Sequence, residues 1–331
     1  MTPEQLRIFV DPTTGSPLEL VNPKIVGGHV ESGVLAAKSN GSEYPIDAFI
    51  PRFVPPDNYA QNFGLQWQIH RNTQLDSYTG TTYSRDRIFA TTNWPTNLTG
   101  QRILEAGSGA GRFTEILAST GAEIVSFDFS EAVVANHHSN GRRANVRIFQ
   151  GDIYRIPLPK GSFDKVICIG VLQHTPDVAK TFRCLAEMVR PGGELVVDAY
   201  PRRLQDMLHW KYLLRPLTTR VSPPALYKFV SWYAPKLIPF AKLARKVGGR
   251  AGHRLVPILD QSDKKVSAEV QRDWTVLDTY DALSPRYDDP QTPATLTRWF
   301  TECGFENIEV LSDVPNACSL LGRARRRQSA T

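Results

Sequence analysis

From residue 101 to residue 200 the chain alternates short apolar runs with amphipathic stretches. "RILEAG" reads as a buried strand and "GRFTEILAST" as a helix. "EIVSFDF" is a second strand, followed by the helix "SEAVVANHHS" with Ser130 placed to cap it. "VRIFQGD", "FDKVICIG" and "GELVVDAY" are three more strands. Between the last two, "DVAKTFRCLAEMVR" carries apolar residues at helical spacing and stops at "PGG". Near-continuous apolar strands separated by helices predict a mainly parallel sheet covered on both faces. Right-handed crossovers make it a doubly wound α/β fold. Further on, "PATLTRWFTECGF" reads as a helix, and "ENIEVLSD" and "ACSLLGRA" as two strands close enough for a hairpin. That predicts an antiparallel strand at one edge of the sheet.

The flanking segments have different patterns. Residues 1–57 are short strand-like pieces broken by Pro and Gly, a small β unit. Residues 58–100 are polar and aromatic and read as a lid or linker. The main domain is then 101–331, interrupted at 201–275 by a helical insertion with many aromatics.

In a doubly wound sheet, ligands bind beyond the C-terminal ends of the strands. Three strand ends here carry chemistry: Glu105 with Gly107, Gly109 and Gly111; Asp128; and Asp152. Such a glycine loop holds either a dinucleotide pyrophosphate or the methionine end of S-adenosylmethionine. The dinucleotide pattern wants a small residue where this chain has Arg112. A carboxylate at Glu105 repels pyrophosphate but suits an amino group and a sulfonium. Asp128 can accept ribose hydroxyls in either case, and Asp152 can accept from an adenine amine.

The set "ILEAGSGAGRFT", "VSFDFS", "GDIYRIPLPKGSFDKVICIGVLQHTPD" and "VRPGGELVVDAY" resembles the successive motifs of class I S-adenosylmethionine-dependent methyltransferases, over about residues 101–200. The resemblance implies a Rossmann-like methyltransferase fold, with S-adenosylhomocysteine as the product of the cofactor. It implies that Glu105, Gly107, Ser108 and Gly109 line the methionine end. Asp128 would hold the ribose, with Phe129 beside the adenine and Asp152 and Ile153 at its edge. Gly170 would lie under the sulfonium, with Gln173 and His174 just beyond. Arg87 is placed to pair with the cofactor carboxylate.

The first 57 residues carry a second resemblance, to the zinc ribbon of the Trm112 type. Pro12, Gly15, Pro17, Leu18, Gly33, Leu35, Gly41, Tyr44, Pro45 and Ile46 keep its frame. Asp11, Thr14, Ala37 and Asn40 stand where four cysteines would be. Tetrahedral zinc needs thiolate or imidazole donors, so no metal is expected. A ribbon without metal has to be held by packing against the main domain. Ribosomal RNA methyltransferases carry such a ribbon, so RNA is an alternative substrate. A cofactor-binding protein retooled for other chemistry is a third reading.

Charge and composition narrow these choices. The net charge is +6, and four arginines, Arg323, Arg325, Arg326 and Arg327, lie near the C-terminus. They read as a frayed, solvated tail, and the ribbon has too few cations for a phosphate track, so nucleic acid is not expected. No run is long and apolar enough to span a membrane, and the first residues lack a signal-peptide layout, so a cytoplasmic protein is expected. The four cysteines form no C-x-x-C pair and read mostly as buried thiols.

Methyl transfer to a small acceptor mainly needs positioning, plus a base if a proton must leave. His174, at the mouth of the fourth strand, is the candidate base. Gln66, Trp67 and Arg71 of the lid are candidate acceptor contacts, and Tyr280, Asp281 and Tyr287 are expected to reach the site, Tyr280 as an acceptor contact. The insertion is expected to cap an apolar acceptor pocket. A dimer interface or a membrane-surface helix is the alternative use of its aromatics.

Overall fold

The computed structural model describes residues 1–55, 60–204, 209–253, 255–314 and 320–328. Strands β1 (Leu18–Val26), β2 (His29–Ala37), β3 (Glu43–Asp47) and β4 (Ile50–Pro51) form an antiparallel sheet in chain order. Helices α1 (Gln61–Ile69), α2 (Asp76–Thr79) and α3 (Tyr83–Thr92) follow. Then come β5 (Arg102–Ala106), α4 (Arg112–Ala118), β6 (Glu123–Asp128), α5 (Ala132–Asn140), β7 (Val146–Gln150), β8 (Phe163–Cys168), α6 (Val178–Met188) and β9 (Val189–Ala199). The insertion contributes α7 (Trp210–Thr218), α8 (Pro223–His253) and α9 (Ala268–Leu283). The chain closes with α10 (Pro293–Glu302), β10 (Phe305–Ser312) and β11 (Leu320–Arg326).

The main sheet has the order β10-β11-β9-β8-β5-β6-β7. Strands β5 to β9 are parallel where they pair, as their apolar runs predict. Alternation along each strand sends Leu104 and Val125 to one face, with α6 and α10. Ile103 and Ile124 go to the other, with α3, α4 and α5. The antiparallel strand is not at the edge as the hairpin suggests. β11 lies between β9 and β10, antiparallel to both, and β10 is the edge. The reason is burial: Leu320 and Leu321 are wholly covered, whereas β10 is mostly exposed.

The arginines near the C-terminus are not a frayed tail either. Arg323 pairs with Glu309, Arg325 donates to the Gly192 carbonyl at 2.9 Å and Arg326 to that of Val189 at 3.0 Å. They lie in or beside the sheet because carbonyls and a carboxylate of neighbouring segments take their protons. Of the cysteines, Cys168 is buried and Cys184 and Cys303 are half-buried. Cys318 lies outside the described residues.

The N-terminal sheet shares one apolar core with the main domain. Phe9, Leu18, Leu35 and Ile46 belong to the same buried cluster as Phe127 and Phe149. Phe9 sits 5.2 Å from both Phe53 and Phe149, ring to ring. Backbone bonds reinforce the join, from Val10 to Pro157 (3.0 Å) and from Phe53 to Gln150 (2.9 Å).

At the far end of this sheet, the turns holding Asp11–Thr14 and Ala37–Asn40 face each other across a carboxylate. Asp11 accepts the amides of Thr13 (2.9 Å) and Thr14 (2.6 Å) and the Tyr44 hydroxyl (2.8 Å). The Asn40 amide donates to it across the gap at 3.4 Å. Burial raises the Asp11 carboxyl, but these donors outweigh it and hold the group at about 2. Its unfolded value is 3.8. The stability it contributes is therefore present above about pH 4 and lost as pH falls toward 2. Asp11→Ala is expected to cost about 1–2 kcal/mol near neutrality, allowing for nearby solvent. In urea unfolding, the gap to the wild type should narrow between about pH 4 and 2. A gap unchanged over that range would mean the carboxylate is not the hub of these turns.

Candidate active site

A cavity of 280 Å³ opens beyond the C-terminal ends of β5, β6, β7 and β8. The sheet supplies its floor, α1 covers one side and α9 another. The lid and the insertion are tied together. His70, just after α1, contacts the Tyr227 hydroxyl of α8 at 2.8 Å. The Trp274 ring nitrogen donates to the Thr73 carbonyl at 2.6 Å. Burial pulls His70 down to about 4, so the imidazole is neutral in this contact.

The sheet side holds the glycine loop. Gly107, Ser108 and Gly109 line the cavity, with Asp128, Phe129, Asp152, Ile153 and Gly170. Gly107 has φ +75°, and a Cβ there would meet a Val171 methyl at 2.3 Å. Only glycine fits such a turn against such a neighbour. Asp128 is fixed by its surroundings: Oδ2 accepts the Gly109 amide (2.9 Å), and Oδ1 accepts the Ser130 amide and hydroxyl. Burial raises its carboxyl. Glu105 lies under the loop rather than in the cavity wall. Its Oε2 accepts the hydroxyls of Thr114 (2.5 Å) and Ser126 (2.9 Å), and burial pushes the group up to about 7.

Arg87 lines the cavity and pairs with the fully buried Asp198 at 3.3 Å. The other Asp198 oxygen accepts the Gly170 amide at 2.5 Å. Asp198 thereby orients both the arginine and the loop after β8. The sequence holds one signal for it, a carboxylate inside the apolar run "ELVVDAY".

The rest of the lining is aromatic and acidic. Phe63, Gln66, Trp67, Tyr200, His174, Asp278 and Asp281 all face the cavity. His174 Nδ1 lies 3.0 Å from the Tyr287 carbonyl, which can only accept. In the neutral ring the proton therefore sits on Nδ1, which leaves the lone pair on Nε2. Nε2 is buried and has no hydrogen-bond partner among the described residues. The ring is flanked by Phe63 at 5.7 Å and Tyr200 at 5.5 Å. Burial pushes Asp278 up to about 7, its neighbour Asp281 adding to the rise. Burial also raises Asp281, opposed by the positive charge His174 carries when its ring is protonated and by a Gln66 hydrogen bond.

Three predicted contacts lie elsewhere. Gln173 is buried behind the wall, whereas Val171, His174 and Thr175 around it line the cavity. Arg71 follows the end of α1 and is exposed beside a separate small recess. Tyr280 packs against Tyr227 of α8, since α9 turns Leu277, Asp278 and Asp281 to the cavity instead. Tyr287 acts through its carbonyl. Asp278, Phe63, Tyr200 and Leu259 were not legible as site residues, because helical phase and the insertion's path decide them.

The polar atoms left open suit a bound group. Of the cavity-lining residues, Ser108 Oγ, Gln66 Oε1 and His174 Nε2 are buried without a partner among the described residues. Such atoms are costly unless a ligand or water completes them.

The family description "Methyltransferase domain" matches residues 104–197. A demethylmenaquinone methyltransferase from Beutenbergia cavernae is 34% identical over 169 residues, covering 47% of this chain and 68% of the relative. The chain belongs to the class I S-adenosylmethionine-dependent methyltransferases. This methyltransferase is also 31% identical over 117 residues to a ubiquinone biosynthesis O-methyltransferase from Marinobacter nauticus, 34% of this chain. It spans about half the length of that relative (49%). Among solved structures, human N-acetylserotonin methyltransferase in complex with SAM aligns with a TM-score of 0.47 and 16% identity. That alignment covers 83% of this methyltransferase and 61% of the human chain.

Proposed function

We propose that this chain transfers a methyl group from S-adenosylmethionine to an oxygen or nitrogen of a small-molecule acceptor. The observation that carries the reading is the Nε2 of His174, unpartnered among the described residues, on a ring flanked by aromatics in the cavity that the glycine loop also lines. In this reading Gly107, Ser108 and Gly109 hold the methionine end and Asp128 the ribose. Phe129, Asp152 and Ile153 meet the adenine, and Glu105 supports the loop from below. When bound, the cofactor supplies an electrophilic methyl group on a sulfonium. His174 Nε2 takes the acceptor proton as the new bond forms and the carbon–sulfur bond breaks. Asp281 steadies the imidazolium that results. Aromatic walls position the acceptor and exclude water.

We read the chain as three parts, 1–57, 58–100 and 101–331, with the insertion 201–275 as part of the acceptor wall. We read the first as a metal-free relative of a zinc ribbon, its ligand centre taken over by Asp11. Titration calorimetry with S-adenosylmethionine, S-adenosylhomocysteine and NADH tests the cofactor. Binding of NADH alone would overturn the reading. Release of S-adenosylhomocysteine over a panel of phenols, alcohols and amines tests the acceptor, and release with RNA alone would overturn that part. Gly107→Val is expected to weaken the adenosyl ligands at least about 100-fold, because its side chain occupies their loop and strains the turn. Unchanged affinity in the calorimeter would move the cofactor elsewhere.

A further inference from the structure

Residues 207–259, which include the whole of the insertion's first two helices, contain ten Lys and Arg and no Asp or Glu. The formal charge of the whole chain is +6, so all other residues together are net negative. Lys211, Arg215 and Arg245 are engaged in ion pairs within the fold. Lys228, Lys242 and Lys246 lie exposed along α8.

Helix α8 has two apolar faces. Leu226, Val230, Ala234 and Ala241 are buried against α9. The other face puts Phe229, Trp232, Phe240, Leu243 and Val247 into solvent, each more than half exposed. Their spacing keeps them in one stripe of the helix. Lys236 lies in the same stripe, its ammonium 3.8 Å over the Trp232 ring. Leu213 and Leu217 of α7 are exposed as well. Single exposed apolar residues are ordinary, but a contiguous stripe marks an interaction site.

We propose that this face docks on an anionic lipid surface. Apolar and aromatic side chains aligned on one face and flanked by lysines are what an interfacial helix needs. Lysine stems lie along the apolar surface while their heads reach anionic headgroups. The charge decides the occupant: a second copy of the chain would place one cationic stripe against another. Among the described residues no helix is long and apolar enough to cross a membrane, so the contact is a surface one. The proposal does not depend on the methyl-transfer reading.

The test is co-sedimentation of the full chain with phosphatidylcholine vesicles, with and without phosphatidylglycerol. Binding is expected only with phosphatidylglycerol, and salt should weaken it. Lys228→Ala and Lys246→Ala are each expected to weaken it about fivefold. Trp232→Ser with Phe240→Ser should weaken it about tenfold or more. These residues are exposed, so thermal unfolding should be unchanged in each variant. Absence of vesicle binding, or binding that ignores both sets of variants, would overturn the proposal. A dimer in solution that the Trp232→Ser and Phe240→Ser variant dissociates, without vesicle binding, would overturn it too and assign the face to a second copy.

Discussion

Replacing His174 with glutamine is expected to lower kcat for an acceptor that loses a proton by about 10²–10⁴-fold. The expectation follows from the ring's two nitrogens. Nδ1 donates to the Tyr287 carbonyl, which fixes the ring, and Nε2 of this cavity-lining histidine has no hydrogen-bond partner among the described residues. Glutamine keeps hydrogen-bonding capacity and approximate bulk but cannot take a proton at neutral pH. The affinity for S-adenosylhomocysteine should change little, since the glycine loop and Asp128 lie on other elements. The wild type and the variant should then differ in the pH dependence of the rate. A positioning role predicts a different pattern: KM rises, kcat holds and the pH profile stays. Steady-state rates across pH, with calorimetry on the same preparations, separate the two. A variant with wild-type kcat and pH profile would remove His174 from the chemistry.

Phe9→Ala is expected to cost about 3–5 kcal/mol, a large part of the roughly 5–15 kcal/mol that holds a domain together. Phe9 is fully buried and touches Phe53 and Phe149. Phe149 stacks on Phe127 at 5.0 Å, and Phe127 lines the cavity. The cavity left by the substitution would therefore open beneath the floor of the site. Because the small sheet and the main domain share one core, unfolding by denaturant should remain a single transition with a lower midpoint. Two transitions, the first leaving adenosyl binding intact, would show that the small sheet folds on its own.

The parallel strands were legible because burial on both faces writes near-continuous apolar runs, as in "RILEAG" and "FDKVICIG". The glycine loop and the acids at the strand ends were legible for a related reason, since topology places them together. What escaped was set by phase and partner choice. Tyr280 and Asp281 are adjacent in sequence, yet only Asp281 faces the cavity, because α8 claims the Tyr280 side of α9. Arg71 and Trp67 are one turn apart, but α1 has ended before Arg71. Asp198 hid inside an apolar strand. The four positions that a zinc ribbon would fill with cysteines gave no hint that Asp11 gathers the surrounding donors, because hydrogen bonds between turns leave no periodicity.

The place of β11 sets an order of assembly during synthesis. Strand β10 has β11 as its neighbour, and β11 is made after it. While β10 leaves the ribosome, the flank of β9 that β11 will occupy is open. The emerging chain cannot complete the sheet by adding strands in turn. At synthesis rates of about 5–20 residues per second, β5 to β9 have seconds in which to pair before β11 arrives. The cofactor loops sit on those earlier strands, so their floor can be laid before the sheet is closed. Until then the β9 flank is a row of unpaired backbone groups, and the nascent chain is most exposed to wrong partners there.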